Sequence, residues 1–122
     1  MPDDPAVLSA LLDSLKDPVV FVDTTHTVRY INKAAEHHYQ EGRTLLGRSI
    51  MACHNAASNA VIREVFAALE NGEDERLITD SPKHRIYMRA VRDAGGKLIG
   101  YYERYEPPAR PAAPPNPGAQ PA

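Results

Sequence analysis

The chain has 122 residues, room for one domain around one core. Its composition is globular, 43% hydrophobic and 25% charged, and a formal net charge of -2 without a block of one sign excludes the basic face of a dedicated nucleic-acid binder. No apolar run approaches the roughly 20 residues of a membrane span, which excludes an integral membrane protein.

The start, Met1 to Pro5, is acidic and lacks the basic opening and apolar stretch of a secretory signal. Val7, Leu8, Leu11, Leu12 and Leu15 then recur at helical spacing, so residues 1–16 hold a short amphipathic helix that Pro18 stops. A domain over residues 17–106 follows. Val19 to Val22 is a short apolar run bounded by Asp23, Thr24 and Thr25. Val28 to Ile31 is a second, closed by Asn32, and the pair reads as a hairpin. His26 falls in its turn and reads as solvated. Asn32 caps a short helix from Lys33 to Tyr39 that ends near Gly42.

A longer helix runs from an Asn55 cap to a Gly72 stop. Ile62, Val65, Phe66 and Leu69 form its apolar stripe, with Arg63, Glu64 and Glu70 off it. Strand signals return at Arg76 to Thr79 and at Arg85 to Arg92, where Ile86, Met88 and Ala90 share a face opposite arginines. Asp93 to Gly96 is a turn into a last strand from Leu98 to Tyr105. Its tyrosines, Tyr101, Tyr102 and Tyr105, read as an exposed aromatic face of the kind that marks an interface. Short connections make the final strands antiparallel, and the class is α+β with helices gathered on one side of the sheet. Residues 107–122 are proline-rich with no apolar side chain larger than alanine, and read as a disordered tail.

Four stretches carry a resemblance. They are Asp17 to Asp23, a strand; Val28 to Glu36, a strand running into a helix through Asn32 and small residues; Leu45 to Ile50, a glycine bend before the long helix; and Asp93 to Gly100, a hairpin into the last strand. In this order, from about Leu11 to Glu106, they resemble a PAS domain. The resemblance implies a five-stranded antiparallel sheet with helices packed on one face. It also implies a sensor or interaction module, which holds a small molecule, haem or flavin between sheet and helices or pairs with other domains. One departure is the ending. Arg104 to Pro108 stands where many members carry an Asp-Ile-Thr type signal into an output helix, and Pro107 and Pro108 would block such a helix.

Within that resemblance, Cys53-His54-Asn55-Ala56-Ala57-Ser58 is similar to a His-Pro-x-x-Ser segment, with Asn55 in the proline position. The subgroup that carries it includes haem-containing carbon monoxide sensors, whose matching histidine is an axial iron ligand. This implies His54 as the metal ligand and haem as the cofactor. Ile50, Met51, Val61, Val65 and Phe66 would form the apolar shell. Met51 or Met88 would serve as sixth ligand, with Cys53 as a thiolate alternative, or the iron would stay open to a diatomic gas. The other reading of His54 is a capping or hydrogen-bonded histidine in a domain without haem.

The remaining groups give weaker signals. His37 and His38 are neighbours that point apart, so they do not grip a zinc ion together. His38 and Tyr39 read as core or surface, with the cavity as the alternative. His84, Arg85, Arg89 and Arg92 would put positive charge near a haem propionate, or form a solvated strand face. Cys53 does not sit in the Asn-Cys-Arg-Phe-Leu type motif of a flavin photosensor. With no Gly-rich phosphate loop, no Gly-x-Ser-x-Gly elbow and no acid/base pair, the chain is not expected to be an enzyme. One cysteine permits no internal disulfide and suits a reducing, cytoplasmic setting.

Two functions follow as expectations. One is a haem-based sensor of gas or redox state, held through His54. The alternative is a non-haem module that binds a small ligand or acts by protein–protein interaction. A homodimer through the N-terminal helix or sheet face is expected, with a signalling partner protein, and neither nucleic acid nor membrane as partner.

Overall fold

The computed structural model describes residues 4–39 and 42–108; the expected tail lies, from residue 109 on, outside the described residues. The first helix, α1, is Pro5–Asp13. Asp4 caps it by accepting the Ala6 N–H at 2.9 Å, and Pro5 takes the first position, where no backbone donor is needed. It ends at the Ser14 cap, whose hydroxyl donates back to the Leu11 carbonyl at 2.6 Å.

Strands β1, Val20–Asp23, and β2, Val28–Ile31, form the expected hairpin. Its turn is organised by Asp23, which accepts from Thr25 N at 2.9 Å, Thr27 N at 3.1 Å and Arg29 Nε at 2.6 Å. Partial burial alone would push this carboxyl up. The hydrogen bonds from Thr25, Arg29 and Thr27 outweigh it and hold Asp23 well below the usual carboxylate range.

Helix α2, Lys33–His38, is capped by Asn32, whose side chain accepts the Ala35 N–H at 2.9 Å. Two 3₁₀ turns follow, Gly42–Leu45 and Ile50–Cys53. Helix α3, Ala56–Glu70, starts at the expected Asn55 cap, which accepts from Ser58 N at 2.8 Å. After it Gly72 takes a φ of 107°, a conformation open to glycine and costly for other residues.

Strands β3, Glu75–Asp80, β4, Arg85–Arg92, and β5, Leu98–Glu106, complete one five-stranded sheet in the order β2-β1-β5-β4-β3, all pairs antiparallel. Helices α2 and α3 and the 3₁₀ turns cover its inner face, where Val22, Val28, Ile31, Ala35, Leu45, Val65, Leu69, Met88 and Tyr101 make the core. Helix α1 is placed differently. Leu12 and Leu15, at and just beyond its end, line an apolar hollow of about 410 Å³ with Phe21, Tyr30, Val91 and Tyr102.

Residues 85, 87, 89, 102, 104 and 106 share the outer face, as the period of a strand requires. There Glu75 accepts from Arg89 at 3.0 Å and Arg104 at 2.7 Å, Glu106 accepts from Arg85 at 2.8 Å, and the Arg104 guanidinium lies 4.4 Å above the Tyr87 ring. The expected solvated arginine face is therefore a paired network. Arg92 is also partnered, donating to the carbonyls of Leu69 and Glu73.

Candidate functional site

Between the inner sheet face and the helices lies a cavity of about 460 Å³, within the size range of small-molecule sites. Most of its wall is apolar: Pro18, Val20 and Val22 leading into and along β1, Leu45 and Ile50 from the 3₁₀ turns, Ile62 from α3, Ile86 and Met88 from β4. The polar remainder comes from the end of α2 (His38, Tyr39), from His54, and from Tyr101, Tyr102, Glu103 and Tyr105 on β5.

Strand alternation places those last residues. Positions 101, 103 and 105 of β5 point inward together, while 102 and 104 point outward. This corrects the expectation of one exposed tyrosine face. Tyr101 is 4% exposed and lines the cavity with Tyr105, whereas Tyr102 touches both the cavity and the outer hollow, where it meets Phe21 and Val91.

Three of these polar residues, His38, Tyr39 and Tyr105, touch one another, and His84 stands beside them. The Tyr39 and Tyr105 hydroxyls are 3.2 Å apart. The His38 ring meets Tyr39 edge-on at 4.7 Å and Tyr105 at 6.2 Å, and His84 meets Tyr105 at 5.3 Å. Burial, then the nearby Glu103 charge, pushes the Tyr39 phenol far up; the same two causes push up Tyr101. Tyr105 is also raised, mainly by burial. All three stay neutral phenols at any ordinary pH and can donate a hydrogen bond.

Glu103 is the centre of this end and was missed by the sequence reading. Burial raises its carboxyl, and His54, His38 and His84 partly oppose that shift. The signal was present. Once Tyr101 is placed inward, the period of two puts the acid at 103 in the same wall.

His54 closes the 3₁₀ turn Ile50–Cys53 and reaches the cavity, although the residue as a whole is exposed. Its Nδ1 lies 2.9 Å from the Ile50 carbonyl. A proton on Nδ1 donates to that oxygen and leaves Nε2 with a free lone pair. Of the other residues expected to surround a cofactor, Ile50 and Met88 line the cavity with it. The remaining four are elsewhere. Val65 is packed in the core at 2% exposure, and Val61 is 45% exposed. Phe66 stands edge-on to His26 at 4.8 Å, and Met51 uses its carbonyl to hold the Asn59 side-chain amide at 2.9 Å. Helix α3 reaches the cavity through Ile62 alone, the stripe residue nearest its N-terminal end.

The reading of His26 as solvated is overturned. It is half-buried, takes a φ of 65°, and its Nδ1 lies 2.9 Å from the Tyr101 hydroxyl. Burial, then the Arg63 charge, lowers its pKa, so the ring is neutral and ties the hairpin turn to the cavity wall. Among the described residues, no group of three His, Cys, Asp or Glu side chains is arranged to hold a metal ion. Nor is any helix long and apolar enough to cross a membrane.

A family model described as a PAS domain matches residues 8–105. The chain is similar in structure to the C-terminal domain of a Streptococcus mutans protein, with 24% identity and a TM-score of 0.69 over 82% of this chain and 81% of that one. It is similar to the PAS domain of a Colwellia psychrerythraea protein, with 12% identity and a TM-score of 0.63 over 86% of this chain and 97% of that one. A sensory box sensor histidine kinase from Vibrio cholerae is also similar, with 16% identity and a TM-score of 0.58 over 86% and 92%. At these identities the likeness is one of fold. No curated protein matches the chain.

Proposed function

The chain belongs to the PAS domain family, and from that premise we propose that it is a non-enzymatic sensory module whose signal is a small organic ligand taken into the inner cavity. The observation that carries this reading is the cavity itself: about 460 Å³, apolar along most of its wall, with polar groups gathered at one end. A ligand there touches α2, both 3₁₀ turns, α3 and three strands at once. Occupancy would therefore bias how the helices sit on the sheet, which is how a binding event becomes a signal.

The output surface in this reading is the outer side of the molecule. Helix α1 leaves Val7 56%, Leu8 44% and Leu11 60% exposed. A second copy of the chain is the partner that would cover them, in a cytoplasmic setting.

Haem is the second reading, and His54 favours it. Fixing Nδ1 on a backbone carbonyl while leaving Nε2 free is how a protein orients an imidazole toward iron. Bound there, haem would supply a site for a diatomic gas or a one-electron change. The rest of the lining fits haem poorly. Among the described residues no lysine or arginine lines the cavity to meet the propionates, and Glu103 adds a carboxylate.

One titration series tests both readings. The neutral fluorophore N-phenyl-1-naphthylamine should bind saturably at one site. Ile62→Trp, which fills the cavity, should weaken it about tenfold or more by taking its place. Undiminished binding in that variant would put the probe elsewhere and overturn the cavity reading. In the parallel arm with haemin, a Soret band that His54→Ala abolishes would establish the haem reading; no Soret band in the unmodified protein would end it.

A further inference from the structure

Among the described residues Glu103 is the one acid in the cavity wall, and nothing offers it a hydrogen bond or a full cationic partner. The cations of its strand neighbourhood are spent elsewhere: Arg85 and Arg104 on Glu106, Arg89 and Arg104 on Glu75, all on the opposite face of the sheet. The groups that do surround it are the imidazoles of His38, His54 and His84, which only partly oppose the effect of its burial, and the neutral phenols of Tyr39, Tyr101 and Tyr105. A half-buried carboxylate without a counter-charge is costly unless something fills its site. Aromatic rings line the same wall, and a ring face also favours a cation. Carboxylate and rings therefore ask for the same partner. The rest of the wall, Ile50, Ile62, Ile86 and Met88, asks for an apolar body.

We propose that the cavity recognises an amphipathic organic amine, with its protonated nitrogen on the Glu103 carboxylate among the rings of Tyr39, Tyr101 and Tyr105, and its apolar portion against Ile50, Ile62 and Met88. This rests on the cavity reading and deepens it. A neutral ligand leaves the carboxylate desolvated and unpaired. An anionic ligand is repelled by it. A cation supplies the missing charge and can donate up to three hydrogen bonds, to the carboxylate and to tyrosine oxygens.

Three probes on one skeleton decide this: 4-phenylbutylamine, 4-phenylbutan-1-ol and 4-phenylbutanoate, titrated at neutral pH by displacement of N-phenyl-1-naphthylamine from the full chain. The amine should bind at least about tenfold more tightly than the alcohol, and the carboxylate most weakly. Glu103→Gln keeps the shape and removes a poorly solvated charge, so it should melt no lower than the unmodified protein. It should weaken the amine by about tenfold or more and leave the alcohol binding no more weakly than before. Equal binding of amine and alcohol, or amine binding indifferent to Glu103→Gln, overturns the amine assignment while the cavity reading stands. Tightest binding by the carboxylate overturns it in favour of the histidines. Failure of the naphthylamine itself to bind removes the cavity reading, and the amine with it.

Discussion

Asn32→Ala should cost about 3–4 kcal/mol of folding free energy and lower the melting temperature on the order of 15–25 °C, one of the largest losses any single side chain of this domain can produce. Asn32 is completely buried. Its Oδ1 accepts from Val19 N and Ala35 N, both at 2.9 Å, and its Nδ2 donates to the Leu12 carbonyl at 2.9 Å and the Asp17 carbonyl at 3.1 Å. One amide thus caps α2, fixes the entry to β1 and holds the end of α1 against the domain. Alanine removes a bond from four backbone groups, that of Ala35 buried and the other three part-buried, beyond the usual loss of about 1 kcal/mol for a helix cap.

Asn32→Asp separates these roles. It keeps both acceptor bonds, but sets a negative charge against the two carbonyls. It should loosen residues 5–19 in hydrogen exchange while α2 stays protected. Denaturant unfolding that places Asn32→Ala within about 1 kcal/mol of the unmodified protein would show that the site relaxes or admits water, contrary to its burial.

The same residue shows how far a sequence can be read. Asn32 before a small-residue helix is a cap by local rules, and that half of its work was legible. Its bonds to Leu12 and Asp17 depend on where α1 ends up, which no local pattern states. The same holds at the cavity. Element order, both asparagine caps, the antiparallel pairs and the inward set Ile86, Met88 and Ala90 follow from spacing, because helical and strand periods are properties of the chain itself. His54 was brought forward by a motif and does line the cavity.

What the periods do not contain is the absolute phase of β5. Three tyrosines at 101, 102 and 105 give no hydrophobic alternation to set it, so inward and outward rings looked alike. Pairing of Val22 with Tyr101 and of Ala90 with Tyr101 sets the phase. With it come the inward placement of Glu103 and the splitting of the tyrosines. Nor could the helical stripe say which of its members reach the cavity. Val65 and Phe66 share a face with Ile62, but they sit further along α3, over the core and beside His26.

Gly100→Ala should abolish the stable fold, or destabilise it by more than about 3 kcal/mol, because overpacking here meets backbone rather than a movable side chain. A β-carbon on Gly100 would stand 2.2 Å from the Val22 carbonyl oxygen and 2.6 Å from the Cε1 and Cζ atoms of the Phe21 ring. The φ of Gly100 is not in the left-handed region, so its glycine serves close approach and not a special turn. Phe21 covers it on the outer face, where it lines the hollow with Val91 and Tyr102. Val22 is in β1, and β1 meets the rest of the sheet through β5 alone, with Val22 opposite Tyr101 and Asp23 opposite Gly100.

Moving β1 away to accept a methyl group would part the hairpin from the sheet, and with it Val20, Val22 and the near wall of the cavity. The neighbours in sequence are Tyr101 and, two residues on, Glu103, so ligand binding should be lost with the fold. The double variant Gly100→Ala with Phe21→Ala separates the two clashes. It clears the ring and leaves the carbonyl in place, so it should remain as unstable as the single variant in thermal unfolding. Recovery to within about 1 kcal/mol of Phe21→Ala alone would show that the ring was the whole obstacle and that β1 has room to yield.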